Sequence, residues 1–181
     1  TRIRDGEGFV HSFNGPHSLF ADTIRSMRSL ALAHRLGAEL IGEQDERESL
    51  LTRLAAHVRA TARYTVYYGD GRDVYDNEPG RVAHESLFNP LNGTYRCPAT
   101  QQGYSPFSTW TRGLAWVLLG FAEQLEFIET LPSDDRALIQ ADDLAALSRR
   151  AVIATADYYL RHTSADGIPP WDTGAPGLAQ L

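Results

Sequence analysis

Residues 105–132 are SPFSTWTRGLAWVLLGFAEQLEFIETLP, and they predict a long amphipathic helix. Apolar side chains recur there at spacings of three and four residues, as on the buried face of a helix. They are Leu114, Val117, Leu118, Phe121, Leu125 and Ile128. Ser105 and Pro106 form a favourable helix start, and Pro132 ends the helix. We therefore expect a helix over 105–131.

Three further segments have the same helical periodicity, and they predict helices over 16–36, 45–68 and 143–162. Residues 69–104 form a long irregular connection between two of these helices. Within it, Asn92-Gly93 is a strong tight-turn signal that predicts a small hairpin over 88–96. A connection of this length is uncommon unless it builds a site. Long helices joined by elaborated loops predict an all-α fold, a helical array or toroid.

The composition is that of a globular protein, 43% hydrophobic and 22% charged, and we expect a single domain over 1–181. The net charge is −6 and no basic face is evident, so nucleic acid is not an expected partner. No apolar run approaches the ~20 residues of a membrane span. We expect a soluble protein of the cytoplasm or periplasm. The lone Cys97 fits neither a disulfide framework nor a zinc cage, and no metal or cofactor is expected.

Two patches of unusual composition contain all three tryptophans, namely residues 101–116 (QQGYSPFSTWTRGLAW) and 166–172 (DGIPPWD). Arg112 and Trp116 are four residues apart, so they project from the same side of the predicted helix. A guanidinium beside an indole suits an anionic sugar, by charge pairing and ring stacking. From periodicity alone, an aromatic core around a buried structural arginine is the favoured alternative. The flanking Gly113 indicates that something packs closely at this point.

These patches resemble glycoside hydrolase family 88, the unsaturated glucuronyl hydrolases. The resemblance rests on residues 102–104, 108–116, 120–122 and 166–172, and it is strong from His84 to Asp172. The related unsaturated rhamnogalacturonyl hydrolases share its Trp-x-Arg-Gly-x-x-Trp core. The resemblance implies an (α/α)6 toroid of the six-hairpin type. Because four helices already fill this chain, and because it begins at Thr1, we expect 1–181 to be a central portion of such a barrel.

The resemblance also implies an activity, that of a glycoside hydrolase acting on unsaturated uronyl oligosaccharides released by polysaccharide lyases. In the family, the aspartate that matches Asp22 acts first as an acid and then as a base. Asp22 would protonate C4 of the C4–C5 double bond, and the resulting carboxylate would activate a water that attacks C5. The hemiketal so formed opens and releases the neighbouring sugar. The positions that match substrate-binding residues are His84, Gln102, Trp110, Arg112 and Trp116.

Three departures from the family pattern keep alternatives open. Gln101 stands where the family often has histidine, and Ser26 where it often has asparagine. A second pocket aspartate has no counterpart, because Asp5 lies in a different context. One alternative is therefore a catalytically inactive carbohydrate-binding relative. Another is a conventional hydrolase of saturated glycosides that uses Asp22 and Asp172 as its pair of carboxylates.

Overall fold

Four long helices and one short helix form the framework of the computed structural model, which describes residues 1–4 and 7–178. The helices are α1 (Thr23–Arg35), α2 (Leu50–Tyr64), α3 (Thr111–Glu129), α4 (Ser133–Leu138) and α5 (Ala141–Arg161). The strands are β1 (Ser18–Phe20), β2 (Leu40–Ile41), β3 (Arg47–Glu48), β4 (Glu85–Phe88) and β5 (Tyr95–Ala99). The expectation of an all-α fold holds for the packed helices, but the strands add small sheets to them.

The hydrophobic core lies between the four long helices, because α1 packs on α2 and α3 while α5 packs on the same two. The core side chains include Met27, Leu54, Val58, Leu114, Phe121 and Leu144. Helices α1 and α3 approach each other closely at Gly120, where an added Cβ would lie 2.5 Å from Cγ2 of Ile24. Glycine at this position therefore lets the two helices meet.

The predicted helices are present, but three of them begin later than expected. The segment predicted to start the first helix forms β1 instead, and α1 begins at Thr23. Helix α2 begins at Leu50, where Ser49 Oγ accepts a hydrogen bond from the N–H of Thr52. Helix α3 begins at Thr111 instead of near 105. The residues before α1 and α3 pair with distant segments, whereas those before α2 form a turn and a short local strand pair.

An antiparallel sheet with the order β1-β4-β5 lies where α1 and α3 begin. Strands β4 and β5 confirm the predicted hairpin, with Leu87 opposite Cys97. In the other ladder, Phe20 lies opposite Glu85. Because β1 leads into α1 and the segment after β5 leads into α3, this sheet positions the N-terminal ends of both helices.

In the part of the chain that the structure describes, no helix is long and apolar enough to cross a bilayer. Across residues 1–4 and 7–178, no three histidine, cysteine or acidic side chains cluster in a way that could hold a metal ion.

Candidate active site

The β1–β4 pairing brings Asp22 and His84 to the same end of the sheet. One residue beyond β1, the N–H of Ala21 donates to the carbonyl oxygen of His84 at 2.9 Å. Asp22 follows immediately and is the residue that precedes α1, so it lies before the helix and not on it as expected. Its Oδ1 is buried and has no hydrogen-bond partner among the described residues. Buried carboxylate oxygens are normally satisfied, so this one is a candidate for function.

His84 is buried, with 4% of its surface exposed, and its ring is oriented by the backbone. The N–H of Gln101 donates to Nδ1 at 3.2 Å, which places the proton of a neutral ring on Nε2. Burial lowers the pKa of His84, while the negative charges of Asp22 and Glu85 act in the opposite direction. The positive charge of Arg112 lowers it as well. His84 is therefore an uncharged ring that can donate a hydrogen bond from Nε2. It lies close enough to Asp22 and Arg112 to be influenced by both charges.

Arg112, Trp110 and Trp116 form a cation–π cluster at the start of α3. The guanidinium carbon of Arg112 lies 4.5 Å from the ring centroid of Trp110 and 5.4 Å from that of Trp116. Its Nη2 donates to Oε1 of Gln102 at 2.6 Å. The predicted shared face of Arg112 and Trp116 is confirmed. Because Arg112 is exposed, the alternative of a buried structural arginine is wrong.

The two tryptophans of this cluster differ in their access to solvent. Trp110 is buried, with only 6% of its surface exposed, whereas Trp116 is half-buried. Their rings meet edge to face with centroids 5.4 Å apart. The ring of Trp110 also lies 4.7 Å from that of His84. Trp110 thus packs beneath the surface that Trp116 and Arg112 present.

Asp172 joins the two tryptophan-containing patches, because it forms a β-bridge with Trp110. Its side chain is completely buried. Oδ2 accepts from the N–H of Tyr104 at 2.8 Å, and Oδ1 accepts from the N–H of Gly174 at 2.9 Å. Since both oxygens are bound to backbone donors, Asp172 acts as a structural carboxylate. Asp172 is therefore not available as the second catalytic carboxylate of a conventional hydrolase.

Phe13 is a further aromatic residue near the candidate site, and no sequence pattern predicted it. It is 83% exposed, and its ring stacks on that of Phe20 with centroids 5.6 Å apart. The ring of Phe20 in turn lies 5.4 Å from that of His84. Phe13 lies in a loop without periodicity, so the only signal in the sequence is a single aromatic residue between polar neighbours.

A cavity of about 690 Å³ lies elsewhere, between α2 and α5, and the residues predicted for the site do not line it. Two arginines at this cavity contact other groups of the protein. Arg150 pairs with Asp70 at 2.6 Å, and Nη1 of Arg72 donates to the carbonyl oxygen of Arg63 at 2.6 Å. Asp5, considered above as a second acidic residue, lies outside the described residues.

No protein-family model matches the chain. The unsaturated glucuronyl hydrolase of Formosa agariphila is 27% identical over 100 residues, which are 54% of this chain and 21% of that protein. The unsaturated glucuronyl hydrolase of Bacillus sp. strain GL1 is 34% identical over 93 residues, which are 51% of this chain and 21% of that protein. The chain resembles the unsaturated glucuronyl hydrolases.

A similarity of fold extends over almost the whole chain. The crystal structure of the unsaturated glucuronyl hydrolase from Bacillus sp. GL1, responsible for the degradation of glycosaminoglycan, matches with a TM-score of 0.64 at 23% identity. That match covers 97% of this chain and 39% of the hydrolase. The chain therefore shares its fold with part of an unsaturated glucuronyl hydrolase and spans well under half of the length of these relatives.

Proposed function

We propose that the chain is part of a glycoside hydrolase that acts on unsaturated uronyl oligosaccharides released by polysaccharide lyases. One observation carries the proposal: the backbone pairing of Ala21 with His84 places Asp22, whose Oδ1 is buried and unpartnered among the described residues, beside a neutral histidine. The positive charge of the exposed Arg112 also acts on His84. The sequence similarity to unsaturated glucuronyl hydrolases supports the same activity.

The architecture in this proposal is an (α/α)6 toroid, of which residues 1–181 form a central portion as one domain. Helices α1 and α3 are its inner helices, and α2 and α5 are its outer helices. The packing supports this assignment, since α1 contacts α3, α2 contacts α5, and each inner helix contacts one outer helix. The sheet β1-β4-β5 then lies at the end of the barrel where the inner helices begin.

Substrate binding uses the surface made by Arg112, Gln102 and Trp116. The guanidinium of Arg112 meets the carboxylate of the unsaturated uronate, because it is exposed and held in a fixed plane by Gln102 and the indole rings. Trp116 offers its half-buried ring to the sugar. Trp110 lies beneath it and keeps both side chains in place. The Nε2–H of His84 donates to a sugar hydroxyl.

The reaction in this proposal is hydration of the C4–C5 double bond by a single carboxyl group. Asp22 gives its proton to C4, and the positive charge that develops at C5 is shared with the ring oxygen. The Asp22 carboxylate then takes a proton from a water molecule as that water attacks C5. The product is a hemiketal, which opens and releases the neighbouring sugar. Asp22 ends the cycle protonated, so a second carboxylate is not required.

The test uses the longest available form of this protein and an unsaturated uronyl disaccharide, with the saturated disaccharide as its matched control. We expect the ultraviolet absorbance of the double bond to disappear, while the saturated disaccharide is left intact. Release of reducing sugar from the saturated compound would favour a conventional hydrolase. Binding of the unsaturated disaccharide with no loss of absorbance would favour an inactive carbohydrate-binding relative.

A further inference from the structure

Glu85 is a buried carboxylate beside the site that takes no part in the proposed reaction. Its residue surface is only 4% exposed, and it directly follows His84 in the chain. Oε1 accepts two hydrogen bonds, one from Nδ2 of Asn14 at 2.6 Å and one from Oγ of Ser18 at 2.5 Å. Burying a carboxylate costs free energy, which two neutral donors offset only in part. Because an apolar side chain would avoid this cost, we expect the carboxylate of Glu85 to have a role of its own.

The two donors belong to two consecutive segments that lead to Asp22. Ser18 is the first residue of β1, whose last residue, Phe20, pairs with Glu85 across the ladder. Asn14 lies in the preceding loop, where the N–H of Gly15 donates to the carbonyl oxygen of Ser12 at 3.2 Å. A single oxygen atom of Glu85 therefore links this loop, β1 and β4.

The loop held in this way carries the exposed ring of Phe13. Phe13 is the neighbour of Asn14, and its ring stacks on that of Phe20. The ring of Phe20 contacts that of His84, so the loop, the strand and the histidine form one packed unit. Loss of the Glu85–Asn14 hydrogen bond releases one side of the loop, while the ring stacking remains.

We propose that Glu85 is a positioning residue, whose hydrogen bonds to Asn14 and Ser18 hold the loop 11–17 and β1 against β4 so that Asp22, His84 and Phe13 face one substrate. The identity of that substrate rests on the proposed function above. The Glu85 tether, meaning its two hydrogen bonds to Asn14 and Ser18, can be tested separately. The positioning effect of Glu85 passes through these two residues and involves no contact with the sugar. Asn14→Ala separates it from the charge of Glu85, which opposes the lowering of the His84 pKa by burial and is kept in that variant.

The variants for the test are Glu85→Gln, Asn14→Ala and the double variant, with Ser86→Ala as the matched control. Ser86 is the next residue of β4, and its buried Oγ donates to the carbonyl oxygen of Tyr64 at 2.7 Å, away from the tether. We expect kcat/KM on the unsaturated disaccharide to fall about tenfold in each single tether variant. Asn14→Ala removes one charge-assisted hydrogen bond, and Glu85→Gln leaves only the weaker hydrogen bonds to an uncharged oxygen. Because the two residues act as one unit, the double variant should lose no more kcat/KM than the more impaired of the two single variants. Ser86→Ala should leave kcat/KM unchanged.

Amide hydrogen exchange over 11–17 tests the tether without any turnover. We expect exchange in this loop to become about tenfold faster in Glu85→Gln and in Asn14→Ala, but not in Ser86→Ala. If the wild-type protein leaves the double bond intact while the loop exchanges faster in these variants, the proposed function fails and the tether stands.

Two results would overturn the positioning role. One is unchanged exchange over 11–17 in both tether variants. The other is an equal loss of kcat/KM in Ser86→Ala, which would reduce the effect of Glu85 to general destabilisation of β4. If Glu85→Gln does not fold, Asn14→Ala supports both measurements alone, because Asn14 is only half-buried.

Discussion

The N–H of Ala21 donates a 2.9 Å hydrogen bond to the carbonyl oxygen of His84, and this bond aligns the two segments that form the site. Asp22 follows Ala21 directly, so the position of its carboxyl group relative to His84 is set by backbone pairing. Helix α1 starts immediately afterwards and packs on α3, which carries Arg112 and Trp116. Sheet and helix packing together bring Asp22, His84 and Arg112 to one candidate site.

Arg112→Lys should weaken substrate binding while leaving the fold intact. Lysine keeps the positive charge but lacks the planar group that lies 4.5 Å from the centroid of Trp110 and bonds Gln102. We expect KM for the unsaturated disaccharide to rise about tenfold or more, as for loss of one charge-assisted contact. Steady-state kinetics measure this, with Arg149→Lys on the exposed face of α5 as the control. An unchanged KM in Arg112→Lys would exclude Arg112 from substrate binding.

Asp172→Asn should destabilise the protein. An asparagine has only one acceptor oxygen, whereas both oxygens of Asp172 accept backbone N–H groups of Tyr104 and Gly174. Loss of one buried hydrogen bond should lower the free energy of unfolding by about 1–3 kcal/mol. Urea unfolding measures the change, and the exposed Asp157→Asn provides the control. Full stability combined with loss of hydrolysis would instead make Asp172 a catalytic group.

The stability of the protein should fall on acidification, in part because of His57. Burial lowers the pKa of this completely buried histidine from 6.5 to about 3. Between these pH values the unfolded chain binds a proton that the folded chain does not, so stability is lost as the pH falls below 6.5. The contribution of this one group is about 1.4 kcal/mol per pH unit.

The measurement for His57 is urea unfolding at a series of pH values. We expect His57→Gln to have a shallower loss of stability with acidification than the wild type, while His11→Gln, at an exposed position, keeps the wild-type slope. Equal slopes in the wild type and His57→Gln would show that His57 is not buried as a neutral group.

Gly120→Ala should also destabilise the fold, although alanine usually stabilises a helix relative to glycine. The new Cβ would lie 2.5 Å from Cγ2 of Ile24, so α1 and α3 would have to move apart. Such overpacking costs about 1–3 kcal/mol. Thermal unfolding measures the effect, with the half-exposed Leu119→Ala as a neighbouring control. A rise in melting temperature for Gly120→Ala would contradict the close helix contact.

Local sequence patterns predicted those features that depend on neighbours in the chain. The periodicity of Val117 and Phe121 located α3, and the four-residue spacing located Arg112 beside Trp116. The close packing expected at Gly113 is also present, because an added Cβ would lie 3.0 Å from the ring of Trp110. Each of these predictions depended only on residues that are close together in the chain.

Features that depend on distant pairing could not be predicted in this way. Helix α3 begins only at Thr111, because Trp110 before it pairs with Asp172, and the N–H of Thr111 donates to the carbonyl oxygen of Trp171. Residues 18–20 continue a helical apolar pattern, yet they form a strand that pairs with β4 more than 60 residues later. The engagement of both Asp172 oxygens by backbone donors also depends on chain segments that the sequence pattern does not connect.

The central claim is that Asp22 supplies the proton in a hydration reaction, and the most direct measurement follows the ultraviolet absorbance of an unsaturated uronyl disaccharide. The wild-type protein, Asp22→Asn and the control Asp157→Asn are compared in their longest available forms. We expect the wild type and the control to remove the double bond, and Asp22→Asn to be slower by about a thousandfold because a positioned acid–base group is lost. A rate in Asp22→Asn equal to that of the wild type would contradict the account.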